Sequence, residues 1–229
     1  KVYFILLLYF AFSLSVNAQA PSMLANNKEK TKSINENILN DAWLLPQYIN
    51  SDKKLEIEAF VVPNGAILGK VLQNENAPPI IEILKNNQII GYVFETYDWV
   101  KGLGYSRKPY HIIAGINLDG KITGVRLMWH TEPIAILGRT DEDLHEFLSQ
   151  LKGININKGI SIVLGLSDSV LEGDTIAMRG TAGDVSQLQQ VDGISRTTTT
   201  SLLLNDAVMR AARKVARYKK ILLDERDLG

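Results

Sequence analysis

The chain has no cysteine. Disulfides, thiolate zinc centres, iron–sulfur clusters and cysteine nucleophiles are thereby excluded. Any redox chemistry has to come from a bound organic cofactor, or from a metal held by nitrogen and oxygen. Histidine is scarce, with three in 229 residues (His111, His130 and His145), which argues against a histidine-rich metal centre. Net charge is missing as well, since 25 Lys+Arg balance 25 Asp+Glu. A nucleic-acid binder needs a basic face to neutralise phosphates, so nucleic acid is not an expected partner. No internal repeat is found. No serine or threonine sits in a glycine-flanked nucleophile elbow, and no histidine has an identifiable partner, so a hydroxyl-nucleophile hydrolase is a poor reading. What is plentiful is apolar material: 45% of residues are hydrophobic, enough for a core. The length suits one ordinary domain with extensions, or two small ones.

Residues 1–20 have the pattern of a secretory signal peptide. A basic residue precedes an almost unbroken apolar run from Val2 to Val16, shorter than the ~20 residues that span a bilayer, and Ala18-Gln19-Ala20 supplies the small-x-small cleavage pattern. The expected location is therefore the periplasm or the extracytoplasmic face of a membrane. Residues 21–54 are expected to be a linker and N-terminal extension, polar as far as about Asn40, with Ala42 to Pro46 docked before a loop. Strand signals begin near Leu55. Pro79–Leu84 and Ile89–Thr96, joined by Asn86-Asn87, predict one hairpin. Ile112–Leu118 and Lys121–Trp129 around the two-residue turn Asp119-Gly120 predict another. Between them lies a glycine-containing loop, Val100–Ser106. Thr140 to Asp143 has the form of a capping box before Leu144, Phe147, Leu148 and Leu151 at helical spacing, with Gly153 as the stop. Ile160–Gly165 is a further strand candidate.

A last helix is expected from about Ser201, with its basic amphipathic part at 206–229. Leu204, Val208, Ala211, Val215, Tyr218 and Leu222 make its apolar stripe, and Arg and Lys make most of the remainder. Two uses are open for such a helix: packing on the chain's own sheet with a solvated charged face, or contact with a membrane surface. The fold class is α+β, an antiparallel hairpin-built sheet covered by helices.

The chemistry-bearing segment is Asp192-Gly193-Ile194-Ser195-Arg196-Thr197-Thr198-Thr199-Thr200-Ser201, just before that helix. A helix amino terminus has amides without internal partners and a positive dipole end, so a phosphate fits there. The residues alone equally allow the hydroxyls to do no more than cap the helix and line a loop.

The segment resembles the flavinylation motif of the periplasmic FMN-binding domain family, found in RnfG- and NqrC-type subunits and in NosR/NirI-type proteins. In that motif an Asp is followed two residues on by an apolar residue, then Ser or Thr, usually Gly-Ala, and the hydroxyl residue that accepts FMN. Asp192, Ile194 and Ser195 match, and the acceptor falls on Thr198. Arg196-Thr197 stands where Gly-Ala is usual. Gly91–Asp98 and the hairpin from Gly104 to Ile122 resemble the family's core strands. His130-Thr131-Glu132-Pro133 resembles its His-x-Glu-x-Pro signature, in a form nearer to NosR and NirI than to RnfG.

The resemblance covers about Gly91–Val208 and implies an FMN-binding domain over residues 55–205. It implies FMN as a covalent phosphoester on Thr198, attached by a flavin transferase that uses FAD and magnesium. It implies a site formed by Thr198 with Ser195, Thr197, Thr199, Thr200, His130, Glu132 and Tyr105. The implied function is electron relay to a redox partner protein, in the membrane or outside it, without independent catalytic turnover, as in the NosR/NirI domain that supports nitrous oxide reductase. Whether the chain is a stretch of such a longer protein or a stand-alone flavin carrier stays open. The reading of another class is a non-redox extracytoplasmic sensor or ligand-binding module without flavin.

Overall fold

The computed structural model describes residues 43–75, 77–164, 175–178 and 188–221. The expected signal peptide and the polar stretch after it lie outside these residues, as does Leu222 of the predicted stripe. In chain order the elements are α1 (Leu44–Ile49), α2 (Lys54–Phe60), β1 (Ile67–Asn74), β2 (Ala77–Lys85), β3 (Gln88–Glu95), α3 (Thr96–Val100), β4 (His111–Asn117), β5 (Ile122–Trp129), a 3-10 turn (Ile134–Leu137), α4 (Asp141–Ser149), β6 (Ile160–Leu164), β7 (Thr175–Met178), β8 (Gln189–Gly193) and α5 (Thr198–Tyr218).

The fold is α+β. Strands β1 to β5 form an antiparallel meander in sequence order. The β2–β3 turn is Asn86-Asn87, both at positive φ (51° and 61°), the geometry whose twist matches the flanking strands. The β4–β5 connection is one residue longer than the Asp-Gly pair predicts. Asn117 Oδ1 accepts from the amides of Asp119 (3.0 Å) and Lys121 (2.8 Å), and Gly120 takes the left-handed position at φ 74°.

Alternation of side chains lets the meander bury both faces. Ile80, Phe94, Ile112, Ala114 and Ile116 belong to the main core with Phe147 and Leu148 of α4 and Leu204, Val208 and Val215 of α5. Ile81, Ile83, Val93 and Ile113, one residue out of step, are also buried. α1 packs on β2 and β3, and α2 packs on β5. Residues 54–60 are a helix where the sequence predicts the start of strand structure. Lys-Leu-Glu-Ile-Glu alternates like a strand, yet Leu55 is exposed while Ile57 and Val61, one helical turn apart, are buried. Arg126 of β5 fastens α2 by bonding Glu56 (2.6 Å) and covering the Phe60 ring. Gly124 makes room for this helix, because a Cβ there would meet the backbone of Phe60 and Val61.

The second sheet has the order β7-β6-β8, and β6 pairs antiparallel with β7 but parallel with β8. The parallel pairing departs from a sheet built only of hairpins, and it delivers the chain from β8 directly to the loop before α5. Helix α5 begins at Thr198, three residues before the predicted start, so Thr198, Thr199 and Thr200 form its first turn. Arg210, Lys214 and Arg217 are exposed on it, while Leu204, Val208, Ala211 and Val215 are buried. Helix α4 starts at the predicted capping box, with the amide of Thr140 donating to Asp143 Oδ2 at 2.7 Å. That bond, together with the Thr140 hydroxyl and Arg139, holds the Asp143 carboxyl below its ordinary range. Among the described residues no helix is long and apolar enough to cross a membrane.

Candidate functional site

Two segments far apart in sequence meet at the amino terminus of α5. The first leaves the end of β5 as His130-Thr131-Glu132-Pro133. The backbone amide of Glu132 donates to His130 Nδ1 (3.0 Å), which leaves the ring proton on Nε2, 3.1 Å from Asp141 Oδ1 in the first turn of α4. Glu132 is buried. Its Oε2 accepts from the Thr200 hydroxyl at 2.8 Å, and its Oε1 accepts from the Ser106 amide at 3.1 Å. The Ser106 hydroxyl lies 2.9 Å from that of Thr131 and ties the 104–106 loop to the same stretch. A Cβ at Gly104 would run into the Glu132 carboxylate and the Tyr110 ring, so only glycine allows this approach. Burial, and then the Glu132 charge, push the Tyr110 hydroxyl far above its usual range.

The second segment is the loop from β8 to α5, fixed to α4 at two points. Gln150 exchanges bonds with the backbone of Asp192 (2.7 and 3.0 Å). Arg139 donates Nε to the Ser195 carbonyl (3.1 Å) while its Nη1 holds Asp143 (3.2 Å). Arg196 sits at φ 68°, in the left-handed region. Several hydroxyls of the segment are spent internally. Ser201 Oγ accepts from the Ile194 amide (3.0 Å), and the buried Thr197 hydroxyl donates to the Ile194 carbonyl (3.3 Å).

Thr197 is the residue before the first turn of α5, and its side chain makes no capping bond to the helix. The first amides of α5 are therefore not taken by a side-chain cap, which is the condition for an anion to be held there. Thr198 is half-buried and Thr199 exposed. Among the described residues no hydrogen bond engages either hydroxyl. A cavity of 460 Å³ runs beside the loop, lined by Arg139, Asp143, Glu146, Phe147, Ser149, Gln150 and Asp192 to Ser195. Its size lies in the range of about 300–1,000 Å³ typical of small-molecule sites.

The sequence-predicted residues thus divide. Thr200, Glu132 and the loop of Tyr105 come together, with Tyr105 exposed at the rim. Ser195, Thr197, Thr198 and Thr199 form the adjoining loop and first turn. His130 opens elsewhere, onto a cavity of 320 Å³ that it shares with Glu56, Arg126, Trp129, Asp141 and His145. His145 is half-buried there, and desolvation lowers its basicity.

Sequence reasoning missed a buried polar cluster beneath α1. Asp98 accepts from the amides of Leu44 (3.0 Å) and Leu45 (3.0 Å), and His111 Nδ1 meets the Tyr48 hydroxyl at 2.7 Å. Glu95 accepts from the amides of Asp98 (2.6 Å) and Ile112 (3.1 Å). Burial, followed by the charge of Asp98, raises the Glu95 carboxyl well above its usual range. Burial lowers His111 to about 4. Isolated acids at a strand end carry no sequence signal for this arrangement. Among the described residues no group of three or more acidic or histidine side chains is arranged to hold a metal.

Fold and site together define an α+β domain that presents, at a helix amino terminus without a side-chain cap from Thr197, a threonine hydroxyl that no described residue engages. No protein-family model matches the chain. It is similar to the regulatory protein NosR of Stutzerimonas stutzeri, 26% identical over 134 residues, which are 58% of this chain and 16% of that protein. The NosR of Pseudomonas aeruginosa is 28% identical over 132 residues, again 58% of this chain and 16% of the relative. The protein NirI of Paracoccus denitrificans is 22% identical over 170 residues, 70% of this chain and 21% of NirI. The chain therefore spans about a fifth or less of the length of these relatives, and it is similar to NosR- and NirI-like proteins over more than half of its own.

Proposed function

We propose that this chain is an FMN-carrying, electron-relaying domain on the extracytoplasmic side of a membrane, with the cofactor joined through its phosphate to the Thr198 hydroxyl. The observation that carries the reading is that hydroxyl: unengaged, half-buried, and in the first turn of a helix whose amino terminus has no side-chain cap. Two features of the backbone support the register. Arg196 takes the left-handed conformation at the position where the flavinylation motif has glycine. Thr197 is buried at the position where the motif has alanine, a small residue. The second motif adjoins the first through the Glu132–Thr200 bond.

In this reading Thr198 holds the phosphate, the first amides of α5 and the Arg139 guanidinium balance its charge, and the adjoining cavity offers room. FMN supplies one-electron chemistry when bound. The chain's own part is to place the hydroxyl, exclude water from Glu132 and Thr200, and keep the loop rigid through Gln150 and Arg139. Threonine is a weak nucleophile at neutral pH, and no general base touches Thr198, so attachment belongs to an external transferase. There Thr198 would supply the oxygen that joins the FMN phosphate of FAD, with AMP as the leaving group and the hydroxyl proton taken up by the transferase. Similarity to the regulatory proteins supports a role alongside nitrous oxide reductase, passing electrons to a protein partner and not turning over a small substrate.

Co-expression of the mature chain with a flavin transferase in an exporting host tests this. The intact mass is expected to rise by FMN less one water, with the rise lost in Thr198→Ala and kept in Thr199→Ala. An unmodified wild-type chain, beside a control acceptor that is modified in the same cells, overturns the proposal.

A further inference from the structure

The loop that bonds Glu132 stands on two stems, and one short helix holds both. Residues 101–110 leave α3 and return as β4. Bonds across the neck close the loop on itself: the Gly104 amide donates to the Lys108 carbonyl (2.8 Å) and the Tyr110 amide to the Gly102 carbonyl (3.3 Å). The loop is thereby braced as a unit on its stems. At its tip Ser106 bonds Glu132 and Thr131, and Glu132 in turn accepts from Thr200.

Helix α1 grips each stem. On the α3 side, the Asp98 carboxylate accepts from the amides of Leu44 and Leu45, each at 3.0 Å. Just beyond α3, the Lys101 ammonium lies over the rings of Trp43 (5.6 Å) and Tyr97 (4.7 Å). On the β4 side, the Tyr48 hydroxyl lies 2.7 Å from His111 Nδ1. Glu95 ties the stems to each other, taking the Asp98 amide on one oxygen and the Ile112 amide on the other. Asp98, His111, Leu45 and Tyr48 are all buried, where hydrogen bonds are stronger than in water.

Helix α1 is also an element with two states. Its six residues fall far short of the about 12–15 at which a lone helix becomes marginal in water. Trp43 supplies no side-chain cap, so the first amides of α1 depend on Asp98. Unseated, α1 lacks the partners that make it a helix. On their other side the stems lean on the main core, through Ile112 and through Gly102 against Ala207, and that packing does not involve α1. We propose that α1 is a clasp on the stems of the 101–110 loop, and that its seating sets how firmly the loop holds Glu132 and, through Thr200, the first turn of α5. The purpose of this coupling rests on the flavin reading, since Thr198 lies in that turn; the coupling itself does not.

Amide hydrogen exchange, followed by mass spectrometry, tests this on the full chain carrying Thr198→Ala, so that flavin cannot enter the result. Tyr48→Phe removes one clasp bond and keeps the ring, and Leu45→Ala unseats α1 more strongly. Neither residue belongs to the loop or to α5. Exchange over residues 44–50 is expected to rise by about tenfold in both variants. Over 104–110 and 201–204 it is expected to rise by about threefold, the Ser201 amide being bonded to the Thr197 carbonyl. The β1–β2 hairpin and residues 207–216 are expected to stay unchanged. Asp98→Asn keeps an acceptor oxygen and is expected to fall between wild type and Leu45→Ala. Ile57→Val, buried in α2 away from the stems, is the control: it lowers the thermal midpoint and leaves 104–110 and 201–204 as in wild type. Should Leu45→Ala fail to fold, Tyr48→Phe decides. A rise confined to 44–50 overturns the proposal, as does a rise of one size throughout the chain or an equal rise at 201–204 in Ile57→Val. With Thr198 restored and a transferase present, a wild type that stays unmodified while the exchange pattern holds removes the cofactor reading and keeps the clasp. A flavinylated wild type whose variants change only within α1 does the reverse.

Discussion

The bond between Glu132 and Thr200 is the joint between the two motifs, and breaking it from either side is the most informative perturbation. The carboxylate is buried and accepts from the Thr200 hydroxyl at 2.8 Å and from the Ser106 amide at 3.1 Å. A hydrogen bond to a charged group contributes roughly 1.5–3 kcal/mol. Thr200→Val keeps the shape, removes one of the two bonds, and is expected to cost about 2 kcal/mol. Glu132→Ala leaves a buried hydroxyl and an amide unpaired and opens a void, so about 3–4 kcal/mol is expected. Glu132→Gln keeps the volume and one acceptor oxygen, and its amide group can turn to the Thr200 oxygen, so about 1 kcal/mol is expected. The decisive quantity is the coupling in the Glu132→Ala/Thr200→Val cycle, about 1–2 kcal/mol by urea unfolding of the four chains. Coupling within about 0.3 kcal/mol of zero would refute the claim that this bond joins the site.

Three further expectations follow from the same geometry. His111 is buried and neutral, its basicity lowered by desolvation from the ordinary histidine range to about 4. The unfolded chain therefore binds the proton first, and the His111 contribution to stability is lost as pH drops from 6.5 towards 4, about 3 kcal/mol in all. His111→Phe lacks this loss, so the stability gap between the two chains measured in urea should close over that window. Parallel profiles would show that His111 is not held neutral. Glu95, raised by burial, contributes in the opposite sense in both chains, favouring the fold at low pH and losing that contribution as pH rises above the usual carboxylate range. Arg196→Gly removes a left-handed penalty of about 1–2 kcal/mol and adds about 0.4–1 kcal/mol of unfolded-chain freedom, so a gain of up to about 1.5 kcal/mol is expected, with faster flavin loading in a timed co-expression. Gly104→Val should displace Glu132 and Tyr110, seen as a drop in thermal midpoint and in the near-ultraviolet signal of Tyr110, whereas Gly138→Ala, where nothing lies near, should leave that signal unchanged.

The parts of the fold that were legible in the sequence are those governed by local chemistry. Asn86-Asn87 and Gly120 mark hairpins because few residues tolerate positive φ. Thr140 and Asp143 mark a helix start because the cap is closed within four residues. The misread elements are those decided at a distance. Residues 54–60 alternate like a strand and are helical because Ile57 and Val61 must both face the sheet. The threonines 198–200 favour loop by propensity and are helical because Leu204 and Val208 anchor the turn that follows. Glu132 was expected at the site. Its partner could not be named beforehand, because the Thr200 bond spans 68 residues of chain. The cluster of Glu95, Asp98 and His111 was invisible for the same reason, since Ile112 bonds Glu95, Leu44 and Leu45 bond Asp98, and Tyr48 bonds His111 Nδ1 from other elements.

The separation between Glu132 and Thr200 also orders events in time. The first turn of α5 is among the last parts of the described chain to be synthesised, and the bonds that hold it and its loop run to residues made earlier, at the end of β5 and beside α4. A nascent or partly unfolded polypeptide offers a threonine-rich stretch but no organised helix end. An enzyme that requires the organised end would therefore modify mature molecules alone, and the presence of the adduct would certify that its carrier had passed through assembly intact.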